Sequence, residues 1–121
     1  AFVDLFPGAA VGFVGLERDE ETAIARNYYR KVPSLTERKA FIVDPMLATG
    51  GSILQAIEVC VAEGAQDITI VTIISSPEGV KAIQDAYPDI PIYTAALDRE
   101  LNDKKYILPG LGDFGDRLYR T

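Results

Sequence analysis

Histidine is absent from the 121 residues, and cysteine occurs once, at Cys60. Without histidine, a zinc site or a histidine-based triad is not expected. A lone cysteine excludes an internal disulfide. Basic side chains are the minority, with 12 Lys and Arg against 18 Asp and Glu and a formal charge of −6. That balance argues against an electrostatic nucleic-acid binder. No apolar run approaches the roughly 20 residues that span a bilayer. The opening Ala1-Phe2-Val3-Asp4 lacks a basic n-region, so a signal peptide is not expected and a cytoplasmic location fits. Hydrophobic residues make up 48%, which places the chain among ordinary globular sequences, long enough for one domain with one core.

What the chain does have is one stretch, Phe41 to Ser52, around which the remainder is arranged. An apolar run, Phe41-Ile42-Val43, ends on an acid, Asp44, and after a short loop Ala48-Thr49-Gly50-Gly51-Ser52 opens a helix. A buried strand that stops at a carboxylate and turns into a helix through small residues makes an anion site. The free N–H groups of the helix N-terminus point at whatever sits there. Gly50 and Gly51 let backbone approach a phosphate closely, and Thr49 and Ser52 add hydroxyl donors. Asp44 repels an anion, so its useful partner is a hydroxyl or a metal. A phosphate cradle beside such an acid suits a sugar phosphate. The plainer reading of a bare Gly-Gly is a β–α turn that needs glycine for its geometry.

Around this centre the chain alternates strands and helices. Ala1 to Phe6 reads as the end of a helix stopped by Pro7-Gly8. Ala9 to Leu16 is short, apolar and glycine-containing, which predicts a buried parallel-sheet strand. Glu17 to Thr22 reads as a solvated charged loop. Ala23 to Val32 sets Tyr28-Tyr29 among Arg26, Arg30 and Lys31; in so acidic a chain this predicts a β-ribbon or arm whose tyrosines pack. Pro33 to Arg38 then turns the chain into the central strand. Ile53, Ala56, Ile57, Cys60 and Val61 fall on one helical face, with Gly64 as the stop and Cys60 as a small core residue. Asp67 to Ile74 is the strongest strand. Ser76 is a good N-cap with Pro77 at the first helical position, and that helix runs to about Tyr87, before Pro88. A ligand loop at the strand's end is the other reading of Ser75 to Gly79. Pro91 to Leu97 is a further strand, and Asp98 to Lys105 a solvated polar connection. This order implies a parallel sheet with helices on its faces.

The closing stretch, Tyr106 to Arg117, holds Pro109, Gly110, Gly112 and Gly115 among apolar residues. It reads as a shaped loop and not a regular element. Its backbone N–H and C=O groups, close to Phe114, suit a planar base that carries amide donors and carbonyl acceptors. A glycine-rich C-terminal turn is the plainer reading.

The two stretches together, Asp-Pro-Met-Leu-Ala-Thr-Gly-Gly-Ser and Tyr-Ile-Leu-Pro-Gly-Leu-Gly-Asp-Phe-Gly-Asp-Arg, resemble the type I phosphoribosyltransferases, and in particular the uracil branch of that family. The first resembles its phosphoribosyl diphosphate (PRPP) loop, with Pro45 where most relatives have a second acid. The second resembles its uracil-binding hood. The resemblance runs through essentially the whole chain and implies an α/β fold: a parallel sheet with flanking helices, a projecting β-arm and a C-terminal hood loop. It implies that Asp44, Pro45, Met46, Leu47, Ala48, Thr49, Gly50, Gly51 and Ser52 bind PRPP, with Asp44 on ribose hydroxyls. It places Arg18 on PRPP as well, and Ile107, Gly112, Asp113 and Phe114 on uracil. Asp113 would also face PRPP, and Asp44 and Asp113 would be the catalytic acids. The arm would serve subunit contacts in a homo-oligomer. One departure is Arg120, where the family usually has glycine.

What the resemblance implies for function is the conversion of uracil and PRPP to UMP and diphosphate in pyrimidine salvage. Mg²⁺ would come in largely through the diphosphate of PRPP, with no metal ligands required of the protein itself. The family also carries a long segment before this point, with a strand and an Arg-Ala-Gly loop that grips diphosphate. That loop is not found here. A single domain over 1–121, truncated at its amino end and weakly active or inactive alone, is therefore expected. Two other readings belong to the same fold: a regulator that binds pyrimidine nucleotides and RNA, and a non-catalytic subunit that binds nucleotide.

Overall fold

Three β-rich runs lie side by side and parallel. In chain order the elements are α1 (Phe2–Leu5), β1 (Phe13–Arg18), β2 (Ala25–Lys31), β3 (Lys39–Leu47), α2 (Gly51–Ala62), β4 (Asp67–Ser75), α3 (Pro77–Ala86), β5 (Ile92–Leu97), β6 (Glu100–Leu101), β7 (Ile107–Leu108) and α4 (Phe114–Tyr119). The computed structural model describes residues 1–18 and 25–121, and the side chains of 16–28 lie outside that description. The parallel sheet has the order β3-β4-β5, while β1-β2 and β6-β7 are separate antiparallel pairs. The predicted α/β class and its parallel sheet hold.

β4 is central because it is the run most nearly continuous in β-branched residues. Its register pairs Ile70 with Ile42 on one side and with Ile92 on the other. The strand that ends in the phosphate loop, β3, is an edge strand among the described residues, not the central one. Pro45 is compatible with that place, since an edge strand tolerates a residue without an N–H.

Ala40, Ile68 and Ile70 point to one sheet face and meet Ile53, Ile57 and Cys60 of α2 and Ile83 of α3 in a single core cluster. Both helices therefore cover the same face, whereas the sequence suggests helices on both. Successive right-handed crossovers in an order that never reverses put both helices on one side. The opposite face carries Val43, Ile73, Tyr93 and Leu97, each more than half exposed. At its corner Phe2 of α1 and Phe6, just past its end, lie 5.4 and 5.6 Å from the ring of Phe41.

Two further readings change. Ala9 to Leu16 does not enter the parallel sheet. From Phe13 it forms the antiparallel β1–β2 ribbon, in which Phe13 is 61% exposed. A short apolar run cannot by itself distinguish a buried strand from one side of a projecting ribbon, and the charged continuation Glu17-Arg18 belongs to the same strand. The β-arm is thus present, but Tyr29 is 49% exposed, so it does not pack inside this chain. In α2, Val59 is buried and Val61 exposed. The buried arc is rotated toward Ala56 and Val59, and Val61 falls beyond its edge. Glu63 at the end of α2 pairs with Arg30 of the arm. Ser76 caps α3 as expected, with Pro77 beginning the helix and Tyr87 ending it.

Candidate active site

The strand β3 does not stop at Asp44. It runs on to Leu47, so Asp44, Pro45, Met46 and Leu47 belong to the strand, and the loop proper is Ala48 to Gly50. α2 begins at Gly51, after Gly50 as N-cap, three residues later than the sequence suggests. Leu47 is 1% exposed and its side chain serves the core, which leaves its backbone at the loop.

Gly50 adopts the left-handed conformation (φ 88°) and supplies no side-chain cap. The first turn of α2 therefore keeps its N–H groups for another acceptor. It also contains no acid that would repel an anion. Gly51 and Ser52 are exposed, and Thr49 is half-buried beside them. Asp44 sits just upstream, accepting from the Met46 N–H through Oδ1 at 2.9 Å. Burial pushes its carboxyl up from the usual carboxylate range, and the Met46 N–H pulls the other way. A carboxylate that has lost solvent gains from hydroxyl donors or a cation.

The loop is supported from below by α3. Ser76, fully buried, donates through Oγ to the Ala48 carbonyl at 2.6 Å and accepts from the Gly79 N–H at 2.9 Å. Its own N–H donates to the Leu47 carbonyl at 2.9 Å. Gly79 lies so close that a Cβ there would overlap the Ala48 carbonyl oxygen. Ser76 is legible in the sequence as a cap, but its second role is not. The clue was its place directly after a parallel strand, at the sheet end where such folds gather their sites.

The hood follows β5 at that same sheet end. The connection from Asp98 to Lys105, expected to be plain surface, is built: β6 pairs with β7, matching Leu101 to Ile107. Asn102 Oδ1 accepts from the Lys104 and Tyr106 N–H groups at 3.0 and 2.9 Å, which closes the turn. Asp98, half-buried, accepts from the Gly110 N–H at 2.8 Å. Glu78 of α3 accepts from the Leu101 N–H at 2.9 Å. Ile107 is 2% exposed, so only its backbone remains for a ligand. Gly112 and Asp113 are exposed and Phe114 half-buried.

From Phe114 the hood is helical, a regular element where the sequence suggests only a shaped loop. Asp113 caps α4, accepting from the Asp116 N–H at 2.8 Å, which is why the chain turns helical there. Leu111, Phe114, Arg117 and Leu118 line an open, mostly apolar depression of about 400 Å³. The side chain of Arg18, at the end of β1, lies outside the described residues, as does the charged run from 19 onward. Among the described residues no group of three His, Cys, Asp or Glu side chains could hold a metal. Cys60 is buried, and that burial raises its thiol from the ordinary value, as suits a core residue and not a nucleophile.

A strand-to-helix glycine loop and a glycine-rich hood at one end of a parallel sheet match the phosphoribosyltransferase class of α/β fold. The adenine phosphoribosyltransferase of Leishmania donovani shares that fold with a TM-score of 0.53 at 21% identity, over 97% of this chain and 56% of that one. The chain belongs to the uracil phosphoribosyltransferase family, which it matches over residues 1–121. The uracil phosphoribosyltransferases of Fervidobacterium nodosum and Pediococcus pentosaceus are 58% and 54% identical to it over 98% of its length. The solved structure of the AQ2163 protein from Aquifex aeolicus superposes with a TM-score of 0.88 at 41% identity, over 97% of this chain and 56% of that one. The chain spans 58% and 57% of the length of those two curated relatives.

Proposed function

We propose that this chain carries the phosphoribosyl and base subsites of a uracil phosphoribosyltransferase, an enzyme that converts uracil and PRPP to UMP and diphosphate in pyrimidine salvage. The observation behind this is the match of the family over residues 1–121, both site stretches included. In this reading the 5′-phosphate lies on Ala48 to Ser52, against the first N–H groups of α2. Asp44 receives the ribose hydroxyls, its free oxygen being the hydrogen-bond acceptor left after the Met46 N–H is served. Backbone groups of Ile107 and Gly112 to Phe114 hold the edge of uracil. Asp113 faces PRPP from the hood in addition to capping α4, and Arg18 adds positive charge to PRPP.

The ribosyl carbon gains oxocarbenium character as diphosphate leaves, so the chain's contribution is position and charge and not covalent chemistry. That suits a sequence without histidine. Asp44 is the one described acid in the phosphate-loop stretch. The residues thus fit Mg²⁺ carried in by PRPP, and poorly fit a protein-built metal cage. When bound, the ion neutralises charge on the leaving diphosphate.

Assembly through the β1–β2 arm belongs to the same proposal. The exposed Phe13 and Tyr29 on it are surfaces that a second copy would bury. A single-domain reading over 1–121 and a cytoplasmic location are part of it too. Among the described residues no helix is long and apolar enough to cross a membrane.

Calorimetry of UMP binding, with AMP and GMP as controls, tests the reading. Selective UMP binding is expected. Equal binding of all three would leave a phosphoribosyl site and remove uracil from the proposal. RNA retained on a filter at moderate salt would favour the regulatory alternative, which the charge of −6 argues against.

A further inference from the structure

The first turn of α3 touches both halves of the site at once. Ser76 reaches the Ala48 carbonyl of the phosphate loop at 2.6 Å. Two residues on, Glu78 reaches the Leu101 N–H of the hood hairpin at 2.9 Å. Leu101 pairs with Ile107, and the hairpin's far end is held by Asp98 on the Gly110 N–H at 2.8 Å. The chain from loop to hood therefore runs Ala48, Ser76, Glu78, Leu101, Ile107, with a rigid helix turn in the middle. We infer that this turn is a brace that fixes the phosphate loop against the hood, and that Ser76 and Glu78 are positioning residues of the site. The identity of the ligand rests on the phosphoribosyl reading above; the brace itself does not.

The chemistry of Glu78 agrees. Its carboxyl is held below the ordinary range, foremost by the Leu101 N–H, then by its own N–H, and by the charge of Lys105. The competing account makes Glu78 only a favourable acid in the first turn of a helix, and Ser76 only its cap. That account stabilises α3 alone and has no reason to treat two ligands differently. A brace does. Ribose 5-phosphate needs the loop but not the hood, while UMP needs both.

The experiment uses the 121-residue chain with nitrogen-15 labelling and three variants. Glu78→Ala removes the acceptor. Glu78→Gln keeps a carbonyl oxygen that still accepts from Leu101. Lys81→Ala breaks the exposed Lys81–Asp85 pair on the same helix and serves as control. In the unliganded protein, Glu78→Ala is expected to move the Leu101 amide resonance and to speed hydrogen exchange in β6–β7 about tenfold. The amides of Thr49 to Ser52 stay where they are. Glu78→Gln restores the hairpin, and Lys81→Ala leaves it untouched. With ligands, Glu78→Ala weakens UMP about tenfold and ribose 5-phosphate by less than about twofold. Unchanged exchange in the hairpin of Glu78→Ala overturns the brace whatever the ligands do. So does an equal loss of both ligands. If the wild-type chain binds neither ligand but the hairpin loosens as expected, the brace stands and the phosphoribosyl reading is the part that fails.

Discussion

The phosphate loop joins a nine-residue strand to a twelve-residue helix, whereas the hood joins a two-residue strand to a six-residue helix. Their supports differ in the same sense. Beneath the loop lie Ser76 and Gly79, both buried. The hood hangs on Glu78, which is exposed, and on Asp98, which is half-buried. Buried supports tie the loop to the global stability of the sheet, while exposed ones let the hood open at a lower cost. In the proposed reading the loop would be a preformed grip for the sugar phosphate, and the hood a cover that adjusts to the base. The contrast is testable by damaging each region through its own support.

The largest effect should come from Gly79→Ala. In an exposed helix interior this change stabilises by about 1 kcal/mol. Here the new methyl meets the Ala48 carbonyl oxygen and lies 2.9 Å from Leu47 Cδ1. Neither backbone nor buried leucine yields cheaply, so the expected outcome is a loss of about 2 kcal/mol in urea denaturation. UMP binding should be lost with it. A raised midpoint would mean that α3 backs away freely and that the loop is not seated on it.

Asp44→Asn should separate binding from stability. The folded carboxyl is pushed above its ordinary value of 3.8. The folded state therefore holds its proton more tightly than the unfolded chain. The contribution of Asp44 to stability falls as pH rises from that ordinary value through the folded one, and at neutral pH the charge is a burden. Asn keeps an acceptor for the Met46 N–H and removes the burden. Denaturation at pH 7 should show a fold at least as stable as the wild type, while UMP affinity drops about tenfold. Unchanged affinity would remove the ribose role of Asp44.

The loop was legible because its signal is local. An apolar run, an acid, and small residues before an amphipathic helix all lie within Phe41 to Ser52. Only the boundaries moved: β3 continues past Asp44 because the Ile74 partner of Met46 extends the pairing. The hood was legible as a resemblance and hardly at all as physics. Its order comes from contacts distant in sequence, Glu78 with Leu101 and Asp98 with Gly110, which no window of residues displays. Asp98 looked like solvated surface for that reason. The bare sheet face was hidden as well, since strands buried on both faces and strands covered on one show similar apolar runs.

Asp98→Ala should loosen the hood and spare the loop. The half-buried carboxylate holds the Gly110 N–H at 2.8 Å, and its loss is expected to cost about 1 kcal/mol. Hydrogen exchange should quicken at Gly110 and in β6–β7, with the amides of α2 unchanged. Faster exchange in α2 as well would erase the distinction between the two regions.

The smallest effect lies at the far end of the hood. Arg120 ends α4 in the left-handed conformation (φ 58°, ψ 40°), where a side chain is disfavoured and glycine is common. That would be a physical reason for the glycine that the resemblance leads one to expect there. Replacing Arg120 with glycine relieves strain of about 1 kcal/mol. The gain is partly offset by the greater freedom of glycine in the unfolded chain. The net expectation is a stabilisation of about 0.5 kcal/mol by chemical denaturation, with slower exchange at the end of α4 and no change in the loop. A net loss would show that the Arg120 side chain makes a compensating contact in solution, and the hood would then be held at one more point than its backbone suggests.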